Sequence, residues 1–283
     1  MYGQRVAQTL SDLSSNMQID KQALGLLLLS CGAHFCNDSS VYRDNSFENK
    51  IVMFQALVTR PAYGKTSLFR LIRNAARDVF LFDPAFSGID LGKDADGDKN
   101  YNVINEFSGS GLLEELNKVQ SLCIFDEGDD QLEKLNIIQS DKSNSAVSCR
   151  GLLLTIHSGE DKHTKITKGQ GRQSTRTKKL TMTFGSNGKS VQSLIGQKLD
   201  QPLFPDSMVE RILWEALATK VMKTANRLKV LPDETLGFNQ IFLTMSLCGN
   251  STYKFEDDAN NLVNKFMDEL TELGKQSFRL MLV

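Results

Sequence analysis

Apolar residues at Val6, Leu10, Leu13 and Met17 fall at helical spacing and predict an amphipathic helix over residues 3–17. Residues 20–31 predict a second helix, apolar enough from Ala23 to Leu29 to be buried. Residues 37–50 are polar and read as a loop. From Ile51 to Thr59 the pattern becomes a β-rich apolar run. A turn follows at 61–65, and residues 66–76 return to helical spacing with Leu68, Leu71 and Ile72 on one face. Further strands are predicted at Asp78–Phe82, Ser121–Phe125, Lys179–Phe184 and Arg211–Leu217. Helices are predicted at 108–119, at 150–157 and through much of 218–283, including 257–273. Strands that alternate with helices imply an α/β fold: a three-layer arrangement with a parallel sheet covered on both faces. The chain divides into an N-terminal helical segment (1–50), a core (51–220) and a C-terminal helical, lid-like region (221–283). Its apolar ending, Phe278 to Val283, reads as the start of a further element, with a C-terminal part expected beyond it.

Composition narrows the classes without choosing among them. Hydrophobic residues make up 40% and charged residues 24% of 283 positions, as in an ordinary soluble globular protein. The formal net charge of -1 gives no overall argument for a nucleic-acid partner, so any such argument must be local. Five scattered cysteines are not a disulfide framework and favour a reducing, intracellular compartment, cytoplasm or nucleus. Cys31, His34 and Cys36 lack a second ligand pair at finger-like spacing, so a buried helix end is expected there rather than zinc. No apolar stretch approaches the ~20 residues of a membrane span, and no membrane partner is expected. Residues 84–100 form an acidic loop with Asp94, Asp96 and Asp98. Its Gly97 falls two places early for a calcium loop, and Asn105 stands where the closing Glu belongs.

The chemistry concentrates at strand ends. Gly64-Lys65-Thr66 follows a predicted strand and opens a predicted helix. That layout aims backbone N–H groups and a helix N-terminus at a phosphate, lets the lysine reach the outer phosphates, and offers the Thr hydroxyl to magnesium. The binding loop is then Pro61, Ala62, Tyr63, Gly64, Lys65, Thr66 and Ser67. Two departures stand out: Thr59 occupies the place of the first loop glycine, and Ala62 and Tyr63 crowd a turn that is usually glycine-rich. The run Ser121–Phe125 ends in Asp126-Glu127, a pair suited to holding magnesium through Asp126 and orienting water through Glu127, on a strand beside the Lys65 strand. Ser186-Asn187 ends another strand, where the amide of Asn187 can touch a γ-phosphate or the water. Arg211 precedes a strand-like run and can serve as an arginine finger in its own or a neighbouring subunit.

The order of these four elements resembles the ASCE division of P-loop ATPases, within it the AAA+ and superfamily-3 helicase pattern. More narrowly, it resembles an uncharacterised domain family found beside primases and helicases of phages and mobile elements. The likeness is carried by residues 56–66, 111–116, 122–127, 150–159 and 204–211. It implies a P-loop NTPase core binding ATP and Mg2+, assembly into a homo-oligomer, and work on DNA among replication proteins. Between the acid pair and Asn187 lies a segment rich in Lys162, Lys165, Lys168, Arg172, Arg176, Lys178 and Lys179 with no acid among them, and Gly169 and Gly171 sit at its middle like a hairpin tip. In ring helicases an insertion there grips phosphate backbones. No aromatic interleaves these charges, so contacts independent of sequence and sensitive to salt are expected rather than base stacking. The competing expectation is a degenerate P-loop module that binds without hydrolysis.

Overall fold

The computed structural model describes residues 2–43, 47–61, 63–83, 103–138, 144–160, 162–167, 171–176, 178–200, 207–217 and 230–281. The acidic loop of 84–100, Ala62 and Lys168 lie outside the described residues. In chain order the elements are helices α1 (Tyr2–Met17) and α2 (Lys21–Phe35), strands β1 (Ser40–Arg43), β2 (Phe47–Lys50) and β3 (Phe54–Val58), and helix α3 (Lys65–Phe82). Next come β4 (Val103–Ile104), α4 (Gly109–Leu116), β5 (Ser121–Phe125), α5 (Gly128–Lys134), α6 (Asn144–His157), β6 (Lys162–Thr167) and β7 (Gly171–Arg176). They are followed by β8 (Leu180–Ser186), α7 (Lys189–Asp200), β9 (Ile212–Ala216), α8 (Phe238–Leu247), β10 (Thr252–Lys254) and α9 (Asp257–Met281).

Five strands form one all-parallel sheet in the order β4-β5-β8-β3-β9. The sheet is covered on both faces, so β5 and β8 are buried at every position. β5 reads as a near-continuous apolar run, whereas β8 alternates Leu180, Met182 and Phe184 with Thr181 and Thr183, and the Thr183 hydroxyl hydrogen-bonds Ser30 of α2 at 3.0 Å. Alternate residues feed two separate cores. Leu57, Leu122 and Ile124 point to one, built with α1, α2, α3 and α8. Phe54, Ala56, Cys123, Phe125, Met182 and Phe184 point to the other, with Leu112, Leu116, Leu132, Leu152, Leu153 and Ile156 from α4, α5 and α6. The sheet is thus flanked by helices on both faces. In the first core Phe35 of α2 stacks on Phe242 of α8 with ring centroids 4.7 Å apart, so the N-terminal helices and the segment after residue 230 share a core with the sheet.

Two sequence expectations are corrected. Asp78–Phe82 is no strand: it completes α3, whose Leu68, Ile72, Ala75, Ala76, Val79 and Phe80 form one buried face. Residues 37–50 are not simply a loop. β1 pairs antiparallel with β2 and parallel with β10, and this small sheet ties the end of α2 to the chain after α8.

Candidate functional site

Lys65, Asp126 and Asn187 each follow or stand just beyond the C-terminal end of a sheet strand, and parallel pairing brings those ends to one edge. The strand carrying Asp126 is not beside the strand leading to Lys65. β8 lies between them, so Asn187 falls between the lysine and the acids.

The Lys65 loop is tight. Thr59, 3% exposed, extends the strand pairing by donating its N–H to Ser186 O at 3.0 Å. The chain then turns within four residues, Tyr63 N–H donating to Arg60 O at 3.3 Å. Gly64 precedes α3 with φ +92°, a left-handed conformation that glycine adopts without strain. A Cβ there would meet nothing within 4 Å, so the demand is purely on the backbone and the space above is open. Among the described residues no side chain caps α3, which leaves its first N–H groups able to receive an anion. Pro61, Gly64, Thr66 and Ser67 are exposed and Lys65 is half-buried. Tyr63 turns inward and packs against the first core, which explains how a bulky residue fits this turn.

Two glycines let the acid loop approach β8. A Cβ on Gly128 would lie 2.9 Å from the N of Gly185, and one on Gly185 would lie 2.7 Å from the carbonyl O of Asp126. Beyond this close contact Asp126 is half-buried and Glu127 exposed. Arg73 of α3 runs beneath, donating Nη2–H to Ile124 O at 3.1 Å with Asp126 as its charged neighbour.

Lys65 Nζ donates to Asn187 Oδ1 at 2.7 Å. Partial burial lowers the lysine's pKa, while Asp129, Asp126 and Glu127, in that order, hold it up. Asp129 organises the far side of the cluster. It accepts from Ser186 Oγ at 2.6 Å, Asn187 N–H at 2.8 Å and Ser190 N–H at 3.3 Å. Burial raises its pKa, but these bonds outweigh that and leave the carboxyl below its usual value. Gly188 N–H donates to Ser186 Oγ at 2.9 Å and closes the turn that presents Asn187. The amine, three carboxylates and an amide therefore form one polar cluster on the C-terminal edge.

Arg211 is elsewhere. It ends a short 3-10 turn just before β9, and Ile212 pairs with Phe54 at the start of β3. The five-residue strand puts it roughly 17 Å from the Lys65 edge at ~3.3 Å per residue. Its guanidinium donates to Ser207 O at 2.8 Å, and it lowers the His157 pKa second to burial. A finger role within its own subunit is therefore excluded by position.

The basic segment folds as expected of a hairpin. β6 and β7 pair antiparallel, Lys162 opposite Arg176 and Ile166 opposite Arg172, with Lys165 opposite Gln173. Lys178 is exposed at its base. Lys179 is not available to a nucleic acid: it is 8% exposed, and its ammonium donates to Ala33 O and to Asn37 O, capping the end of α2. Burial lowers its pKa to about 8.

Asp129, Ser190 and Arg73 were not singled out from the sequence. The acid run 126–130 is visible there, but the pairing of Asp129 with Ser186, 57 positions on, is set by the β5–β8 contact. No protein-family model matches the chain, and no curated protein matches it.

Proposed function

We propose that this chain is a P-loop protein that binds and hydrolyses ATP and works on DNA as a helicase-like motor or switch. The observation that carries the reading is the Lys65–Asn187 hydrogen bond, with Asp126, Glu127 and Asp129 about the same amine, on the edge where parallel α/β sheets bind ligands. The residues fit the expected groups. Backbone N–H groups of the Gly64 turn and the uncapped start of α3 cradle phosphate oxygens, and Lys65 neutralises the outer phosphates. Magnesium at phosphates takes only one or two carboxylates besides water, so Thr66 and Asp126 suffice to hold it. No group of three or more His, Cys, Asp or Glu fit for a metal occurs among the described residues, and this chemistry requires none. Bound magnesium would neutralise phosphate charge. Glu127, exposed beyond the strand end, orients water and accepts its proton, while Asn187 positions Lys65. Arg211, on the opposite edge, acts on a neighbouring subunit's nucleotide in a homo-oligomer. The β6–β7 hairpin and Lys178 grip phosphate backbone.

The test is ATP binding and turnover with and without single- and double-stranded DNA at two salt concentrations. Glu127→Gln keeps binding and loses turnover; equal turnover in the variant and wild type sinks the mechanism. DNA stimulation disappears on neutralising Lys162, Lys165, Arg172, Arg176 and Lys178. Buried Thr59 and inward-turned Tyr63 favour a second reading, a non-hydrolysing scaffold in a replication or defence complex. Tight ATP binding without turnover in the presence of DNA selects it.

A further inference from the structure

The segments that follow α2 and α8 run side by side in a fixed register. Ser40 pairs with Thr252, Val41 with Tyr253 and Tyr42 with Lys254, all parallel. Asp38 N–H donates to the side chain of Asn250 at 3.1 Å, across the same separation of 212 positions. Ser39 Oγ donates to Gly249 O at 2.9 Å, 210 positions away, and accepts from Ser251 N–H at 3.0 Å, 212 positions away. Ser40 N–H donates to Ser251 O at 3.0 Å. Asn37 Nδ2–H donates to Ser246 O at 3.4 Å, so hydrogen bonds between the two turns bracket Cys36 on one side and Cys248 on the other. Each is the C-cap of its helix, Cys36 half-buried and Cys248 exposed, and neither is in a disulfide.

We infer that Cys36 and Cys248 form a reversible thiol–disulfide pair that locks the end of α2 to the end of α8. The bonds from Asn37 to Ser246 and from Asp38 to Asn250 fix the two helix ends against each other at the positions of the two cysteines. The surroundings divide the roles. Burial raises the Cys36 thiol, the Lys179 ammonium beside it pulls it back down, and a charge on Cys248 raises it again, so the two sulfurs sense each other. Cys31, Cys123 and Cys149 are buried, their thiols raised by that burial, to about 11 for Cys31 and Cys149, and they stay inert.

With a low-molecular-weight disulfide as oxidant, the exposed Cys248 thiolate attacks one of its sulfurs. A mixed disulfide forms and one small thiol leaves, having taken the proton Cys248 lost. Cys36 then loses its proton, attacks Cys248 Sγ and displaces the second small thiol, which takes up that proton. The small disulfide is reduced to two thiols, and the protein's two thiols are oxidised to one disulfide.

The test treats the whole native chain with oxidised glutathione near pH 8, counts thiols after unfolding, and maps disulfide-linked peptides. The expected result is a fall from five free thiols to three, a Cys36–Cys248 linked peptide, and five thiols restored by dithiothreitol. Cys36→Ser should instead hold glutathione stably on Cys248, and Cys248→Ser should take up none at Cys36. Five thiols retained in wild type, a stable glutathione adduct on wild-type Cys248, or a link joining two chains would each overturn the proposal.

Discussion

Lys65 and Asn187, 122 positions apart in the chain, meet through a 2.7 Å hydrogen bond at the edge of the sheet. The amide oxygen holds the lysine where three carboxylates also pull on it. Asn187→Ala removes that hold and leaves the charge. ATP turnover is expected to fall about 10²-fold, with nucleotide affinity little changed. Steady-state kinetics beside equilibrium binding checks the split; an equal loss in both would mean the amide serves binding alone.

Gly185 and the Asp126 carbonyl share a space that admits no methyl group. Gly185→Ala puts a Cβ 2.7 Å from that oxygen and 2.3 Å from the Phe69 ring. The expected cost is about 1–3 kcal/mol, read from chemical denaturation. Gly196→Ala in α7 meets nothing within 4 Å, and an exposed helix favours alanine by up to about 1 kcal/mol, so stability should rise slightly.

Lys179 predicts a pH signature. Burial lowers its pKa from the ordinary 10.5 to about 8 in the folded chain. Between those values the unfolded chain binds the extra proton, so stability rises with pH. Below about 8 both states are protonated and the folded one carries the burial penalty. Against Lys179→Met, which lacks the titration, wild type should gain stability as pH climbs from about 8 towards 10.5. A difference flat across that range would mean the ammonium is solvated. DNA affinity should change little in this variant compared with neutralising Lys178.

Arg211 sits on the opposite edge from Lys65, so under the proposed function its part in hydrolysis would be played across a subunit boundary. Lys65→Ala and Arg211→Ala should each be inactive alone. Mixed together they should recover part of the activity, because some interfaces then join an intact Lys65 to an intact Arg211. A mixture as inactive as its parents would remove Arg211 from the chemistry.

Four strands of the parallel sheet, β3, β5, β8 and β9, were legible as short runs rich in apolar and β-branched residues, with polar residues at their ends, whereas the two-residue β4 was not. The edge on which Arg211 lies was legible too: it stands before its strand, whereas Lys65, Asp126 and Asn187 stand after theirs. Residues 78–82 misled because a short apolar run does not distinguish strand from buried helix, and only continuity with the Leu68–Ile72 face decides it. β1 was hidden because it pairs with β10, 212 positions away, and β2 because it joins that sheet through β1. Lys179 looked like one more charge in a basic run, and nothing local shows that Ala33 and Asn37 offer it two carbonyls.

Strand β8 runs from the base of the basic hairpin to the Lys65 edge of the sheet. It begins just past the basic hairpin and Lys178, and it ends at Ser186, beside the amide that holds Lys65. Its seven residues span about 23 Å. β5 and β3 clamp it on either side through five paired positions each, so it behaves as a stiff rod with no slack. A displacement at one end can reach the other only if the sheet tilts as a body. Any signal between hairpin and lysine would then be mechanical, felt at both ends at once.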